Sequence, residues 1–382
     1  MWAGRTGSDG RFSSRGHRLL PPAVPAGRVP EVVHGGIPPG PRGSGVSRVD
    51  LSASVNPYGP PPYLRAAWRR AIREVDSYPD RAQSDLRAAV GRRLGVPLEE
   101  VLLAGSASEL IRCALGAYAP GREVVLPQYT YEEYRRVALA AGARRIRTVP
   151  MPSLRLDLGR MAEAIPRSGV EVLVNPATPT GQYFPPEEVR ELGEACLRRG
   201  SLLLVDESYL PFVDGGRSVS SHPGSLVIFS WSKVLGTPGI PFGHASGPPR
   251  VIQALSTQLL PWTVGPLSRH LAWFALRDRR WIPETLRRIR ATAEEVRKTL
   301  PHTLSRAHYF TVGSRSRPDL VRRVEAAGFH VRDLSSMGLP GRARFAVGRP
   351  AETRRFLRVL LPAISASVRR GGRSPPSRRR RP

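Results

Sequence analysis

The chain has 382 residues, 40% of them hydrophobic, and a formal net charge of +28. That length suits one large and one small domain rather than three, and the apolar content through the middle of the chain excludes a wholly disordered polymer. No run of about 18 apolar residues occurs, which argues against a membrane-spanning helix.

The positive charge is not in itself a nucleic-acid signature. Lysine occurs only at Lys233 and Lys298, and many of the arginines fall singly along helical patterns such as "ELGEACLRRG", where a solvated face is the ordinary explanation. Only the ends are concentrated. Residues 1–46 are rich in Gly, Pro, Ser and Arg, and residues 366–382 resemble them, so both are expected to be disordered arms. The first arm lacks the continuous apolar segment of a secretion signal.

Segment 47–75, carrying "VDLSASVNPYGPPP", is expected to pack on the small domain and close a cleft. From Leu98 to about Ser246 short apolar runs alternate with helical patterns: "EVVLP", "YEEYRRVALAAG", "RRIRTVP", "VEVLVNP", a helix over Pro186 to Arg199, "SLLLVDE" and "SLVIFS". That alternation predicts an α/β fold, a mainly parallel sheet with crossover helices, in a large domain over 76–262. Ligands in such sheets sit at the carboxyl ends of strands. A smaller α+β domain is expected over 263–365, helical to about Leu300 and then mixing "AHYFTVG", "FHVRDL" and "RARFAVG" with helices from near Pro318 and Pro350. Cys113 and Cys196 lie among apolar residues in helical patterns, which fits a reducing cytoplasm.

Three segments carry the chemistry. In "IFSWSKVLG" an apolar strand ends in Ser230-Trp231-Ser232-Lys233 and is expected to run into a loop. A lysine after a strand is ordinarily a surface residue. In a chain that uses arginine almost everywhere, however, a lysine here points to chemistry a guanidinium cannot do, namely imine formation with an aldehyde. In "SLLLVDESYLPF" a fully apolar strand ends in Asp206-Glu207, with Tyr209 three positions after the aspartate; a helix cap would explain the carboxylate about as well. In "LLAGSASELIRCAL" a small-residue turn opens a helix whose first amides, at Ala107 and Ser108, suit a phosphate, although Ser106 or Ser108 as a plain cap fits the same pattern. Between them, Tyr129, Tyr131 and Tyr134 in "LPQYTYEEYRR" are candidates either for stacking on a flat ring or for the core.

Taken in order and spacing, "NPYGPPP", "SYPD", "GSASELI", "NPATPTG", "VDESY", "SWSK" and "VRDLSSMGLPGRARFAVG" resemble the class I/II pyridoxal-phosphate aminotransferases, most closely the histidinol-phosphate aminotransferase and threonine-phosphate decarboxylase branch, over about Val49 to Leu361. The resemblance implies fold type I and pyridoxal 5'-phosphate as cofactor. Its phosphate would rest on Ala107, Ser108, Ser230 and Ser232, with Tyr134 stacked on the ring and Asn175 and Thr178 beside it. Asp206 would pair with the ring nitrogen, keeping it protonated as an electron sink, and Tyr209 with the ring oxygen. Lys233 would be Schiff base and proton carrier. Arg344 would grip the substrate α-carboxylate, with Asn56 and Tyr58 also on the substrate. A homodimer is implied, with Tyr78 reaching the partner's phosphate and the active site at the interface; no metal is.

Two departures stand out. The family carries an arginine shortly after the lysine where this chain has Pro241, so either the cofactor binds more weakly or another group, such as His244 or Arg269, substitutes; Ala177 and Thr178 replace an asparagine. The function expected is amino-group transfer between an amino acid, or an amino-alcohol phosphate, and a 2-oxo acid. A decarboxylase or lyase of a phosphorylated amino acid is the alternative enzyme. A non-catalytic scaffold that binds nucleic acid through its basic ends is the third reading, disfavoured because the N-terminal arm has no helix-turn-helix pattern.

Overall fold

The computed structural model describes Val32, Gly35, Gly36 and residues 48–220, 222–313 and 318–365. The two arms expected to lack a core lie almost entirely outside the described residues. Among those described, the strands in chain order are β1 (Val49–Asp50), β2 (Val101–Ala104), β3 (Glu123–Pro127), β4 (Arg145–Val149), β5 (Val170–Val174), β6 (Leu202–Asp206), β7 (Ser225–Ser230), β8 (Gly243–Ser246), β9 (Tyr309–Gly313), β10 (Phe329–His330), β11 (Arg332–Asp333) and β12 (Arg342–Ala346).

Seven strands form one sheet in the order β2-β8-β7-β6-β5-β3-β4. The run from β7 to β4 is parallel, and β8 is antiparallel to both its neighbours. β5 and β6 are buried at every position, which is why they read as apolar runs, broken only by Glu171 in β5 and by Asp206 at the end of β6, rather than as alternation. Val124, Val172 and Leu204 face one layer with the helices Ala107–Tyr118 and Pro249–Ser256. Val125, Leu173 and Leu203 face the other, with Met161, Val189 and Leu192 from the helices Leu158–Ala164 and Pro186–Arg198. A second, antiparallel sheet, β11-β12-β9, packs Phe310 and Phe345 against Phe356 of the helix that starts at Pro350. β1 pairs with β10, Val49 opposite Phe329, so the segment before the large sheet is stitched to this smaller part.

Two local readings change. "SWSK" does not run straight into a loop; Trp231–Leu235 is one helical turn that ends on Gly236, at φ +62. A Cβ there would come 2.6 Å from the Asn56 carbonyl oxygen, so both the left-handed backbone and the close approach call for glycine. "FHVRDL" divides into β10 and β11, because the first pair bonds to β1 and the second to β12.

Glu171, in the middle of β5, is fully buried, and neither carboxylate oxygen has a hydrogen-bond partner. Arg147 and Arg199 are near enough to oppose the effect of burial, yet they spend hydrogen bonds on the carbonyls of Ala164 and Ile165. Burial therefore pushes the acid from its ordinary 4.5 up to about 8. The folded chain keeps a proton that the unfolded chain releases above pH 4.5, so this stability is complete below pH 4.5 and is lost as the pH rises through about 8. Glu171→Gln should flatten that decline, by up to about 1.4 kcal/mol per pH unit, in denaturant unfolding curves followed across this range.

Candidate active site

A cavity of about 270 Å³ opens at the carboxyl ends of β5, β6 and β7. Asp206, the last residue of β6, is 8% exposed and lines it. Its two oxygens are both engaged: Tyr134 donates its hydroxyl to Oδ2 at 2.6 Å, and the Ser208 amide donates to Oδ1 at 2.9 Å. Lys233 lines the same cavity from the turn after β7. That turn is strapped from outside. The Asn56 amide donates to the Lys233 carbonyl at 2.8 Å, while Asn56 Nδ2 donates to the Val234 carbonyl and to Thr285 Oγ1, each at 2.9 Å.

At one end of the cavity Ser106 caps the helix Ala107–Tyr118, its hydroxyl accepting from the Glu109 amide at 3.0 Å. The amides of Ala107 and Ser108 have no intrahelical acceptor at that position. Beside them Ser230 and Ser232 line the cavity, and Tyr131 is hydrogen-bonded to Ser108. Gly243 of β8 runs so close that a Cβ would come 2.8 Å from the Ala107 nitrogen. An amine, an anchored carboxylate and a hydroxyl-rich helix N-terminus fit the aldehyde, ring nitrogen and phosphate of pyridoxal phosphate.

At the other end, β11 and β12 set Arg332 directly opposite Arg344. Both guanidinium groups are buried and both line the cavity. Arg344 donates from Nη1 to Thr178 Oγ1 at 2.8 Å and from Nη2 to the Ser52 carbonyl at 3.1 Å, while its Nε has no partner. The Tyr309 ring lies under it at 5.5 Å.

Of the residues named from sequence, the structure brings Ala107, Ser108, Thr178, Asp206, Tyr209, Ser230, Ser232, Lys233 and Arg344 to this cavity. Five sit elsewhere. Tyr134 is wholly buried beneath Asp206, and Tyr131, just ahead of the helix Glu133–Ala140, is the tyrosine that faces the cavity. Asn175 spends both ends of its amide on the backbone of Phe184. Asn56 is the strap described above, and the ring of Tyr58 lies beneath the Arg288 guanidinium rather than in the cleft. Tyr78 is 81% exposed and stacks on Trp262 at 4.5 Å. Neither proposed substitute for the missing arginine reaches the cavity: His244 is buried, accepting from Trp231 Nε1 at 3.0 Å, and Arg269 is paired with Asp85. Arg332, Pro238 and Gly35 line the cavity without having been singled out as site residues.

Residues 47–360 match the family model for class I and II aminotransferases. The chain belongs to this family. Its relatives include a histidinol-phosphate aminotransferase of Symbiobacterium thermophilum, 31% identical over 83% of this chain and 90% of that protein. Histidinol-phosphate aminotransferase 2 of Pseudomonas fluorescens is 28% identical over 83% and 89%. Among solved structures, a putative aminotransferase from Burkholderia pseudomallei shares the fold with a TM-score of 0.72 at 24% identity, covering 83% of this chain and 98% of its own. The L-threonine-O-3-phosphate decarboxylase of Porphyromonas gingivalis shares it at 0.68 and 18%, covering 82% and 98%. The protein is thus a pyridoxal-phosphate-dependent aminotransferase of fold type I. Among the described residues no group of acids, histidines and cysteines is placed to hold a metal, and no helix is long and apolar enough to cross a membrane.

In this aminotransferase the helix N-terminus at Ala107 and Ser108 offers the cavity amides and hydroxyls, while the cavity's arginines stand on β11 and β12. Pro241 lines the cavity yet is otherwise exposed, so a longer side chain there meets solvent rather than core. Pro241→Arg should therefore tighten pyridoxal phosphate by about tenfold, one charge-assisted hydrogen bond's worth, in equilibrium dialysis without substrate.

Proposed function

We propose that this aminotransferase moves an amino group between an amino acid and a 2-oxo acid, with Lys233 as the residue that carries the cofactor and shuttles the proton. The observation that supports it is the meeting of the Lys233 amine, the Asp206 carboxylate and the Arg344 guanidinium in one cavity. When bound, pyridoxal phosphate supplies an electron sink for the charge that develops at the substrate's α-carbon. Asp206 supplies a fixed negative charge whose orientation is set by Tyr134 and Ser208. Tyr209 presents its ring from the same strand end. The Lys233 amine takes the proton from the α-carbon and returns it on the other side of the exchange. Arg344 turns its two-pronged donor from Thr178 and Ser52 to a planar carboxylate, holding the α-carbon in register with the lysine. The relatives named for histidinol phosphate make an amino-alcohol phosphate an alternative donor, its phosphate taking the arginine in place of a carboxylate.

The same reading includes a homodimer. Trp68, Val75, Tyr78 and Leu260 are each more than half exposed, a costly surface to leave in water, and a second copy would cover it and bring Tyr78 to the partner's cofactor phosphate. Cys113 and Cys196 are free and buried, in keeping with a reducing cytoplasm.

Absorption spectra provide the test. With added pyridoxal phosphate the protein should show a visible band that an amino donor bleaches, and Lys233→Ala should show neither band nor turnover. Arg344→Lys should raise KM by about tenfold or more with a smaller effect on kcat, since a point charge replaces a fork. Tyr78→Ala should weaken cofactor retention in a protein that still sediments as a dimer; sedimentation as a monomer at any usable concentration would remove the shared-site reading.

A further inference from the structure

Arg332 and Arg344 are cross-strand neighbours on one face, two buried like charges at the same end of the cavity. Such a pair is unfavourable unless each charge finds an anion. Their surroundings differ. Arg344 is bonded to a hydroxyl and a carbonyl, both neutral, and keeps a bare Nε. Arg332 already has a carboxylate: Glu132 Oε2 lies 3.3 Å from its Nη2, and Ser336 ties the two together, accepting from Arg332 at 3.0 Å and donating to Glu132 at 3.2 Å. The side chains of Arg332 and Glu132 are 6% and 22% exposed, so water screens the pair poorly. Glu132 comes from the residue after Tyr131 on the large sheet's side, and the pair therefore crosses the cleft.

We propose that Glu132 is a specificity-determining residue: by occupying Arg332 it leaves Arg344 as the open anion site, so the cleft accepts substrates with a single anionic group and turns away those carrying a second. This rests on Arg344 holding the substrate's anion as described above. A second carboxylate or phosphate has to displace Glu132 or sit beside it, and an unpaired like charge in a desolvated cleft is strongly disfavoured. Glu132→Gln removes the competitor while keeping size and hydrogen-bonding capacity, leaving Arg332 free to receive a second anion.

The test is calorimetric binding of two inert probes of equal length, pentanoate and glutarate, to the cofactor-loaded full chain. In the wild type pentanoate should bind at least as tightly as glutarate. In Glu132→Gln glutarate should gain about tenfold or more, while pentanoate moves by less than about threefold. Glu132→Asp, which keeps the charge, should keep the wild-type order. Mere loosening of the cleft would shift both probes alike and would overturn the proposal, as would a wild type that already prefers glutarate or a Glu132→Gln variant without the selective gain. Arg344→Gln separates this from failure of the site itself: if pentanoate binds that variant as well as it binds the wild type, Arg344 is not the anion site and the underlying reading falls.

Discussion

A carboxylate at the end of a central strand is the constraint on which the site depends. Asp206 is nearly closed off from solvent, and a charge in that position persists only if its oxygens are bonded. Tyr134 and the Ser208 amide do this, and each has consequences. Tyr134 is committed to the core, so the ring wall of the cavity falls to Tyr131. Ser208 in turn accepts from the Ser230 amide at 3.1 Å, which locks the end of β6 to the end of β7 and so fixes where Lys233 begins its turn. The neighbouring Glu207 shows the alternative fate. Buried beside Asp206 it is pushed up to about 7, and it spends its oxygens on Ser218 and the Val219 amide rather than on the cavity.

The site is also where separate stretches of chain meet. Asn56, Gly59 and Gly236 bring the N-terminal segment into backbone contact with the lysine's turn, and a Cβ on Gly59 would come 2.5 Å from the Leu235 carbonyl oxygen. A few residues earlier, Ser52 gives its carbonyl to Arg344 and its hydroxyl to the Gly36 amide. The segment that precedes the large sheet therefore holds the lysine on one side and Arg344 on the other. Side chains here act through position, which is why residues such as Asn56 matter to the site without facing it.

The architecture was legible because periodicity records burial. Strands covered on both faces read as apolar runs, which put Asp206, Ser230 and Lys233 at strand ends, and the family resemblance then joined them in one site. Side-chain direction was not legible to the same degree. Tyr131 and Tyr134 are three residues apart, and which one faces the cavity depends on where the helix starts, at Glu133, a boundary that periodicity places only to within a couple of residues. Asn175 illustrates a second limit. A polar residue at a strand end is as well suited to bond the returning backbone as a ligand, and Phe184, nine residues on, takes both of its bonds. Arg332 illustrates a third: it stands inside the motif "VRDLSSMGLPGRARFAVG", yet in a chain so rich in arginine it is the register of β11 against β12 that sets it opposite Arg344.

The charges around the cavity explain why a histidine can stand so close. His308 is wholly buried, stacked on Phe212 at 3.7 Å and set against Tyr209 at 6.1 Å. Burial first, then the Arg344 and Lys233 charges, hold it down to about 3, so at neutral pH it is a flat, uncharged wedge behind Tyr209. A protonated ring there would add another positive charge to the end of the cleft that already holds two arginines. Its contribution to stability is complete above its ordinary 6.5 and is lost as the pH falls toward 3, opposite in direction to that of Glu171. The two buried groups thus bound the fold from both sides: one must stay uncharged as the medium becomes acidic, the other as it becomes alkaline. The cavity is left with cations of assigned position, two guanidinium groups on the small sheet and one amine on the large.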